Sequence, residues 1–153
     1  MRRLADGLIS LISRTPQWLV GLIGRLAIGL TFWTSGRTKV DGWNIFHVND
    51  KTLFLFTEEY KLFRLFGKYE LCIAPPKLMA LAAQVAEHVL PVLLIVGLAT
   101  RFSALGLLGM TLVIQVFVYP NAYVLHGTWA AVLLMLIKYG PGAISVDRLI
   151  SRR

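Results

Sequence analysis

Glu87 and His88 are neighbouring ionisable residues in the middle of an apolar run that extends from Leu78 to Leu98. Ionisable groups inside a membrane span are costly, usually face the interior of a helix bundle and mark candidate functional sites. Pro91 follows one turn later and, having no N–H, leaves the carbonyl of Glu87 without its helix partner. A carboxyl group, an imidazole and a freed carbonyl on one helical turn could relay a proton. The alternative is a polar clamp that locks helix packing through interhelical hydrogen bonds.

Arg25 places a second charge inside an apolar run, in the segment from Trp18 to Gly36. Counted along helices from the same membrane surface, Arg25 would lie about 10 Å deep and Glu87 about 17 Å deep. Two alternatives follow: Arg25 pairs with Glu87, or its side chain extends to the nearer membrane surface. The candidate catalytic residues are Glu87, His88 and Arg25.

Three further polar residues lie near the junction of the third and fourth apolar runs, where they could contact a ligand between helices. These candidate cofactor-binding residues are Gln115, Tyr119 and His126. Singly, such groups most often make packing hydrogen bonds. Glycines on the same runs favour close helix approach, and they are Gly21, Gly24, Gly29, Gly97, Gly106 and Gly109.

The composition indicates which elements position these residues. With 56% hydrophobic residues, 16% charged residues and a mean hydropathy of +0.65, the chain is too apolar for a soluble domain of 153 residues. Apolar runs at 18–36, 78–98, 102–119 and 123–138 reach or approach the roughly 17–25 residues that span a bilayer as helix. They are too long for strands and too few for a closed barrel. We therefore predict an all-α fold, an integral membrane four-helix bundle, with residues 1–153 forming a single membrane domain.

Two amphipathic helices are expected in addition to the spans. Apolar residues at helical spacing predict an interfacial helix at about 3–15, before the first span. The connection at 37–77 is too long for a simple hairpin loop. Within it, Asp50 is the predicted N-cap and Gly67 the predicted end of a second amphipathic helix.

The net charge of +8 comes from basic groups scattered along the predicted membrane edges. This distribution favours contact with anionic lipid in the bilayer and does not indicate a nucleic-acid partner. Four spans put both termini on one side, and their arginines favour the cytoplasm.

Cysteine and histidine counts exclude several redox chemistries. Cys72 is the single cysteine, so the chain has no intramolecular disulfide redox pair and no cysteine-rich metal site. His88 and His126 would differ in depth by roughly 10 Å, which argues against a bis-histidine haem. No metal site is predicted, and any redox role needs a partner protein or a diffusible cofactor.

Three groups of residues resemble a known family when their order and spacing are taken together. Arg25 is followed by Gly36 and Lys39, Glu87 is followed by the segment 97–101, GLATR, and the segment 140–147 is GPGAISVD. In this combination the chain resembles the DoxX family of small four-span bacterial membrane proteins, over nearly its whole length.

The resemblance implies a multi-pass protein of the bacterial inner membrane, and it implies a function less firmly than a fold. Similar proteins look like quinone-linked or redox-accessory subunits, which makes quinone the expected cofactor and a protein partner or homo-oligomer the expected assembly. In that interpretation Glu87 and His88 handle protons and Arg25 stabilises the reduced anion. The alternative is a non-enzymatic membrane anchor or assembly partner, for example in a stress or metal-peptide maturation system. In neither case is the chain expected to be an enzyme alone.

Overall fold

The computed structural model describes residues 13–59, 64–65, 69–70 and 75–151. Its helices are α1 (Gln17–Arg37), α2 (Asp50–Phe54), α3 (Pro76–Val96), α4 (Thr100–Val113), α5 (Tyr123–Tyr139) and α6 (Val146–Ser151). Five-residue π-helical segments extend α2 through Leu55–Glu59 and α4 through Ile114–Val118. Two short strands, β1 (Arg64–Leu65) and β2 (Tyr69–Glu70), pair antiparallel in the connection between α2 and α3.

Four of these helices correspond to the predicted spans. α1, α3 and α4 with its π-helical extension are long and apolar enough to cross a membrane, whereas α5 is an apolar helix of 17 residues. All four lack strand-like alternation and end at polar or glycine-containing turns. The predicted helical membrane bundle is therefore confirmed.

The four long helices form a ring in which each packs against its neighbours. α1 contacts α3 and α5, and α4 contacts the other faces of α3 and α5. The fully buried apolar core consists of Ile28, Phe32, Leu94, Ala104, Leu107, Leu133 and Leu136. Large apolar side chains also cover the outside of the ring, which suits a surface in contact with lipid chains.

Small residues bring α1 and α3 close together. A Cβ atom built at Gly29 would lie 2.5 Å from Ile95 Cγ1, and one built at Gly36 would lie 3.1 Å from the carbonyl oxygen of Glu87. Only a glycine fits such contacts without a shift of its neighbours. Gly36 thus packs against the carbonyl that Pro91 deprives of its helix partner.

The connection after α1 differs from its predicted form. Asn49 caps α2 by accepting a hydrogen bond from the Thr52 N–H at 2.8 Å, so the cap lies one residue before the predicted Asp50. Helix also does not continue to Gly67, because β1 and β2 pair around that position and satisfy their backbone groups across strands.

The predicted interfacial helix at about 3–15 lies outside the described residues for most of its length. Its described part, residues 13–15, forms a turn and a bend that precede Pro16. Pro16 is the N-cap of α1, as expected for a residue that ends one segment and starts the next.

Candidate functional site

A cavity of about 860 Å³ lies inside the ring at the end where α1 finishes and α5 begins. Its walls are the second half of α1, the first half of α3, the second half of α4 and the first turns of α5, while α2 and its extension lie across the end. Most lining residues are apolar or small, among them Phe32, Leu55, Ala82, Ala86, Met110, Ile114 and Trp129. The few polar groups in this lining therefore mark where a ligand's polar part would bind.

Lys39 and Glu87 form an ion pair on the wall between α1 and α3. The Lys39 Nζ atom lies 2.5 Å from Glu87 Oε2 and 3.3 Å from Ser35 Oγ. The Glu87 side chain is 4% exposed and that of Lys39 is 13% exposed, so both charges are largely withdrawn from solvent. A buried carboxylate of this kind requires a charged or hydrogen-bonding partner, and Lys39 supplies it.

Local structure holds Lys39 in place. α1 ends at Arg37, and the next residues turn so that the Lys39 N–H donates to the Gly36 carbonyl at 3.0 Å. The Thr52 hydroxyl of α2 donates to the Lys39 carbonyl at 3.1 Å. The chain therefore turns back over the cavity and directs the lysine towards α3.

His126 lies on another wall, at the start of α5, and is 4% exposed. Its Nδ1 lies 2.7 Å from Gln115 Oε1, and the Gln115 amide nitrogen donates to the Pro120 carbonyl at 2.7 Å. Since a backbone carbonyl only accepts, the NH2 group of Gln115 must face Pro120, and its oxygen must face His126. The histidine Nδ1 therefore carries a hydrogen, which leaves Nε2 as the ring atom able to accept one.

Aromatic contacts orient the His126 ring. It lies 5.1 Å from the Trp129 ring, which in turn lies 5.5 Å from Phe32 of the core. Tyr119, at the end of the α4 extension, lines the same cavity and is 56% exposed. Two of the predicted cofactor-binding residues, Tyr119 and His126, thus line the cavity, whereas Gln115 is not among the lining residues and hydrogen-bonds to His126.

His88 is buried beside Glu87 but is not among the residues lining the cavity. Its Nδ1 donates to the Gln84 carbonyl at 2.7 Å, and its ring meets Trp33 edge-on at 5.2 Å. Its Nε2 is buried with no hydrogen-bond partner in the described part of the chain. His88 therefore packs between α1 and α3.

The Gln84 side chain joins this region to the long connection. Its amide nitrogen donates to the carbonyls of Ile45 and His47, at 2.9 and 3.0 Å. One buried glutamine therefore ties α3 to the segment that covers this end of the bundle.

Arg25 lies at the opposite end of the bundle and is 1% exposed. Its Nη2 donates to the Ile144 carbonyl at 2.6 Å, and a Cβ atom built at Gly97 would overlap its Nη1. Gly97 is ten residues beyond Glu87, a rise of about 15 Å along α3. The structure therefore separates Arg25 from Glu87, because the C-terminal segment supplies a nearer partner.

Asp147 lies at the same end of the bundle as Arg25 and caps the start of α4. Its two carboxylate oxygens accept hydrogen bonds from the Ala99 N–H at 2.7 Å and the Thr100 N–H at 2.9 Å, which are free at the start of α4. Partial burial raises the pKa of Asp147, but these two N–H groups and the charge of Arg25 outweigh it and hold the pKa below its ordinary value. Asp147 thus fastens the C-terminal segment to the turn between α3 and α4.

Sequence reasoning named Lys39 only as part of a resemblance and did not assign it to the site. It stands after the end of the first apolar run, where a lysine ordinarily faces the membrane surface. Its approach to Glu87 depends on the turn after α1 and on Thr52, which no local pattern encodes. Ser35, two residues before the end of α1, was missed for the same reason.

Metal binding has no support in the described residues, where no three His, Cys, Asp or Glu side chains are grouped closely enough to hold an ion. The cavity instead combines apolar walls with two lysines, Lys39 and Lys51, one carboxylate and one imidazole. Such a set can bind a flat, mostly apolar molecule that carries hydrogen-bonding oxygens.

Comparisons with known proteins give one family and one relative. The model of the DoxX family matches residues 20–120. A Haemophilus influenzae protein described as uncharacterized is 32% identical over 143 residues, covering 86% of this chain and 83% of the relative. No solved structure matches the chain.

Proposed function

Because the chain belongs to the DoxX family, we propose that it is a quinone-binding accessory subunit of a membrane redox system. The observation that carries the proposal is the cavity of about 860 Å³, apolar on most sides and provided with Lys39, Glu87 and His126. Its volume falls within the roughly 300–1,000 Å³ typical of small-molecule sites.

The lining residues fit a quinone head in both shape and polarity. A quinone presents a flat ring with two carbonyl oxygens, and it supplies two-electron, two-proton redox chemistry when bound. Lys39 Nζ is a donor available to one oxygen, and on a different wall Nε2 of His126 can accept a hydrogen bond from the other oxygen in its reduced, hydroxyl form. The apolar residues around them, such as Phe32 and Trp129, match the ring faces.

Proton transfer at this site falls to three side chains of the chain itself. Lys39 donates to an oxygen on which negative charge develops, and its fixed position makes that stabilisation effective in a water-poor cavity. Once the lysine has given up its proton, Glu87, in contact with Lys39, takes up a proton from the aqueous phase and passes it to the lysine. His126 takes up a proton from the aqueous phase at Nε2 and passes it to the other oxygen, while Gln115 holds its Nδ1–H.

This assignment changes the role predicted for Arg25. Its hydrogen bond to the Ile144 carbonyl at the opposite end of the bundle leaves the stabilisation of an anion to Lys39. His88 becomes a packing residue between α1 and α3, and Glu87 keeps its predicted role as a proton carrier.

Electrons must come from outside the chain. Its single cysteine offers no disulfide couple, so we assign electron delivery to a protein partner and describe this chain as a subunit rather than an enzyme alone. The multi-pass fold belongs to the bacterial inner membrane in this proposal. The end that carries Arg25, Arg101 and Arg148 faces the cytoplasm.

The test is chemical identification of what the purified protein holds. Wild-type protein, Lys39→Met and His126→Phe would be purified from membranes, extracted with organic solvent and assayed by mass spectrometry. We expect near-stoichiometric quinone with wild type and strong depletion in both variants. Lys138→Met is the matched control, since Lys138 lies at the other end of α5 beside Tyr139. Only bulk phospholipid in the wild-type extract would overturn the proposal.

A second candidate function is that of a non-enzymatic anchor or assembly partner. The observation in its favour is that Glu87 already has a partner, Lys39, within the chain, as a polar clamp between helices requires. In that case Lys39→Met should lower thermal stability or retention of a co-purifying protein and leave the extracted lipids unchanged. The same three preparations therefore separate the two functions.

A further inference from the structure

Two glycines one turn apart on α4 have opposite surroundings. A Cβ atom built at Gly106 would lie 2.8 Å from Leu90 Cδ1, so the Leu90 side chain of α3 fills the space beside that glycine. Apart from the chain neighbours and nearby helix backbone of Gly109, no heavy atom of the described structure lies within 4 Å of a Cβ built there. The contact between α3 and α4 is therefore closed at Gly106 and open at Gly109.

The helix opposite Gly109 also carries small side chains. On α3 the cavity is lined by Ala82, Ala83 and Ala86, and on α4 by Gly109 and Val113. Ala82, Gly109 and Val113 are exposed as well as cavity-lining. We call the space between these five residues the α3–α4 gap, and among the described residues it connects the cavity with the outside of the ring.

The position of the gap identifies what lies outside it. Ala82 and Gly109 lie well inside their helices, so the gap opens within the span and not at its ends. Exposed leucines on the same two helices, Leu78 and Leu112, mark this outer surface as lipid-facing. At the end of the bundle, by contrast, Thr52 and Leu55 line the cavity, so α2 and its extension lie over it.

We propose that the cavity is loaded sideways from the bilayer, with the ligand's apolar chain lying in the α3–α4 gap. The ligand class is a membrane-dissolved amphiphile, with a polar head at Lys39 and His126 and an isoprenoid chain that passes Ala82 and Gly109 into the lipid. This inference rests on the proposed function for the head site and adds the route of entry and the chain subsite. The charged pair at one side of the cavity and the apolar opening at the other fit the two ends of such a molecule.

The test compares two ubiquinones that share a head, one with a single isoprenoid unit and one with a long chain, by equilibrium binding in nanodiscs. Gly109→Leu places a side chain in the gap, and Ala82→Leu does so from the opposite helix, in case one variant folds poorly. We expect each to weaken long-chain binding by about tenfold more than short-chain binding, because a side chain in the gap leaves roughly two methylene groups of the longer chain unburied.

Matched controls use exposed positions that do not line the cavity. They are Gly127→Leu, where a Cβ also meets nothing within 4 Å in the described structure, and Ala131→Leu, both on α5. Unchanged long-chain affinity in both gap variants, with wild type binding both quinones, would overturn the sideways route and leave the head site standing. If wild type binds neither quinone, the proposed function itself fails and the inference with it.

Discussion

Lys39 and Glu87 join the end of α1 to the middle of α3 through an ion pair whose carboxylate is almost fully buried. The pair lies where Gly36 lets the two helices approach, and the turn that carries Lys39 is held by Thr52. One contact therefore links the bundle, the long connection and the polar side of the cavity.

Removing one member of this pair should destabilise the protein more than removing both. Lys39→Met leaves a buried carboxylate without its cation, which costs roughly 3–5 kcal/mol of unfolding free energy. In Lys39→Met/Glu87→Met no charge is left buried, so we expect most of that loss to be recovered. Unfolding of the three proteins in a detergent titration measures the coupling. Additive losses in the double variant would show that the pair does not act as a unit.

Substitution of His126 should lower ligand affinity, whereas substitution of His88 should lower thermal stability. His126→Phe keeps an aromatic ring beside Trp129 but removes Nε2, the acceptor for a hydroxyl of the reduced quinone, so affinity for the reduced quinone should fall by about tenfold, the value of one hydrogen bond. His88→Phe should leave affinity unchanged and lower the thermal midpoint, because its ring is buried against Trp33. Quinone titration and thermal unfolding of both variants provide the two readouts. A greater affinity loss for His88→Phe would contradict this assignment.

The long helices were predictable because apolar content over a bilayer's thickness is a local property of the sequence. The predicted run 18–36 became Gln17–Arg37, and 123–138 became Tyr123–Tyr139. The candidate status of Glu87 followed from the same property, since a charge within a span needs a reason. What could be derived locally was thus the position of each long apolar helix and of the charged residues within it.

Pairing between elements was not predictable in the same way. The depth argument left open whether Arg25 pairs with Glu87, and the answer depends on the Ile144 carbonyl, which is distant in sequence. Gly106 and Gly109 look alike in the sequence, but only the first faces a leucine of α3. Both outcomes are decided by a group that is distant in sequence and lies at the same level of the bundle, a backbone carbonyl in the first case and a leucine side chain in the second.

Because of Asp147, the free energy of unfolding should depend on pH in the acidic range. The pKa of this carboxyl is lowered in the folded protein from its ordinary value of 3.8, so its ionised form is favoured by folding. The contribution is then complete above about pH 5 and is lost as the pH falls below 3.8 towards the folded-state pKa. Asp147→Ala removes the cap of α4 and should cost about 1 kcal/mol at neutral pH. Thermal midpoints of both proteins measured from pH 7 to acid should converge as the pH falls, and a constant difference would contradict the cap.

Gly97→Ala tests the opposite end of the bundle. Gly97 ends α3 with a φ of +73°, where an L-residue costs about 1–2 kcal/mol from its backbone alone. An added Cβ would also overlap Arg25 Nη1 and lie 2.7 Å from Ser145 Cβ. Arg25 would have to move and break its hydrogen bond to the Ile144 carbonyl. We therefore expect Gly97→Ala to lower the free energy of unfolding by clearly more than the backbone cost.

A double-variant comparison isolates that second contribution. In an Arg25→Ala background the overlap with the guanidinium is gone, and Gly97→Ala should then cost much less than it does in wild type. Gly127→Ala is the control, since a Cβ there meets nothing within 4 Å in the described structure and alanine favours helix. Unfolding free energies of the single and double variants give the coupling between Arg25 and Gly97. If Gly97→Ala costs the same in both backgrounds, Arg25 is not held against this turn, because the penalty then comes from the left-handed backbone and the contact with Ser145.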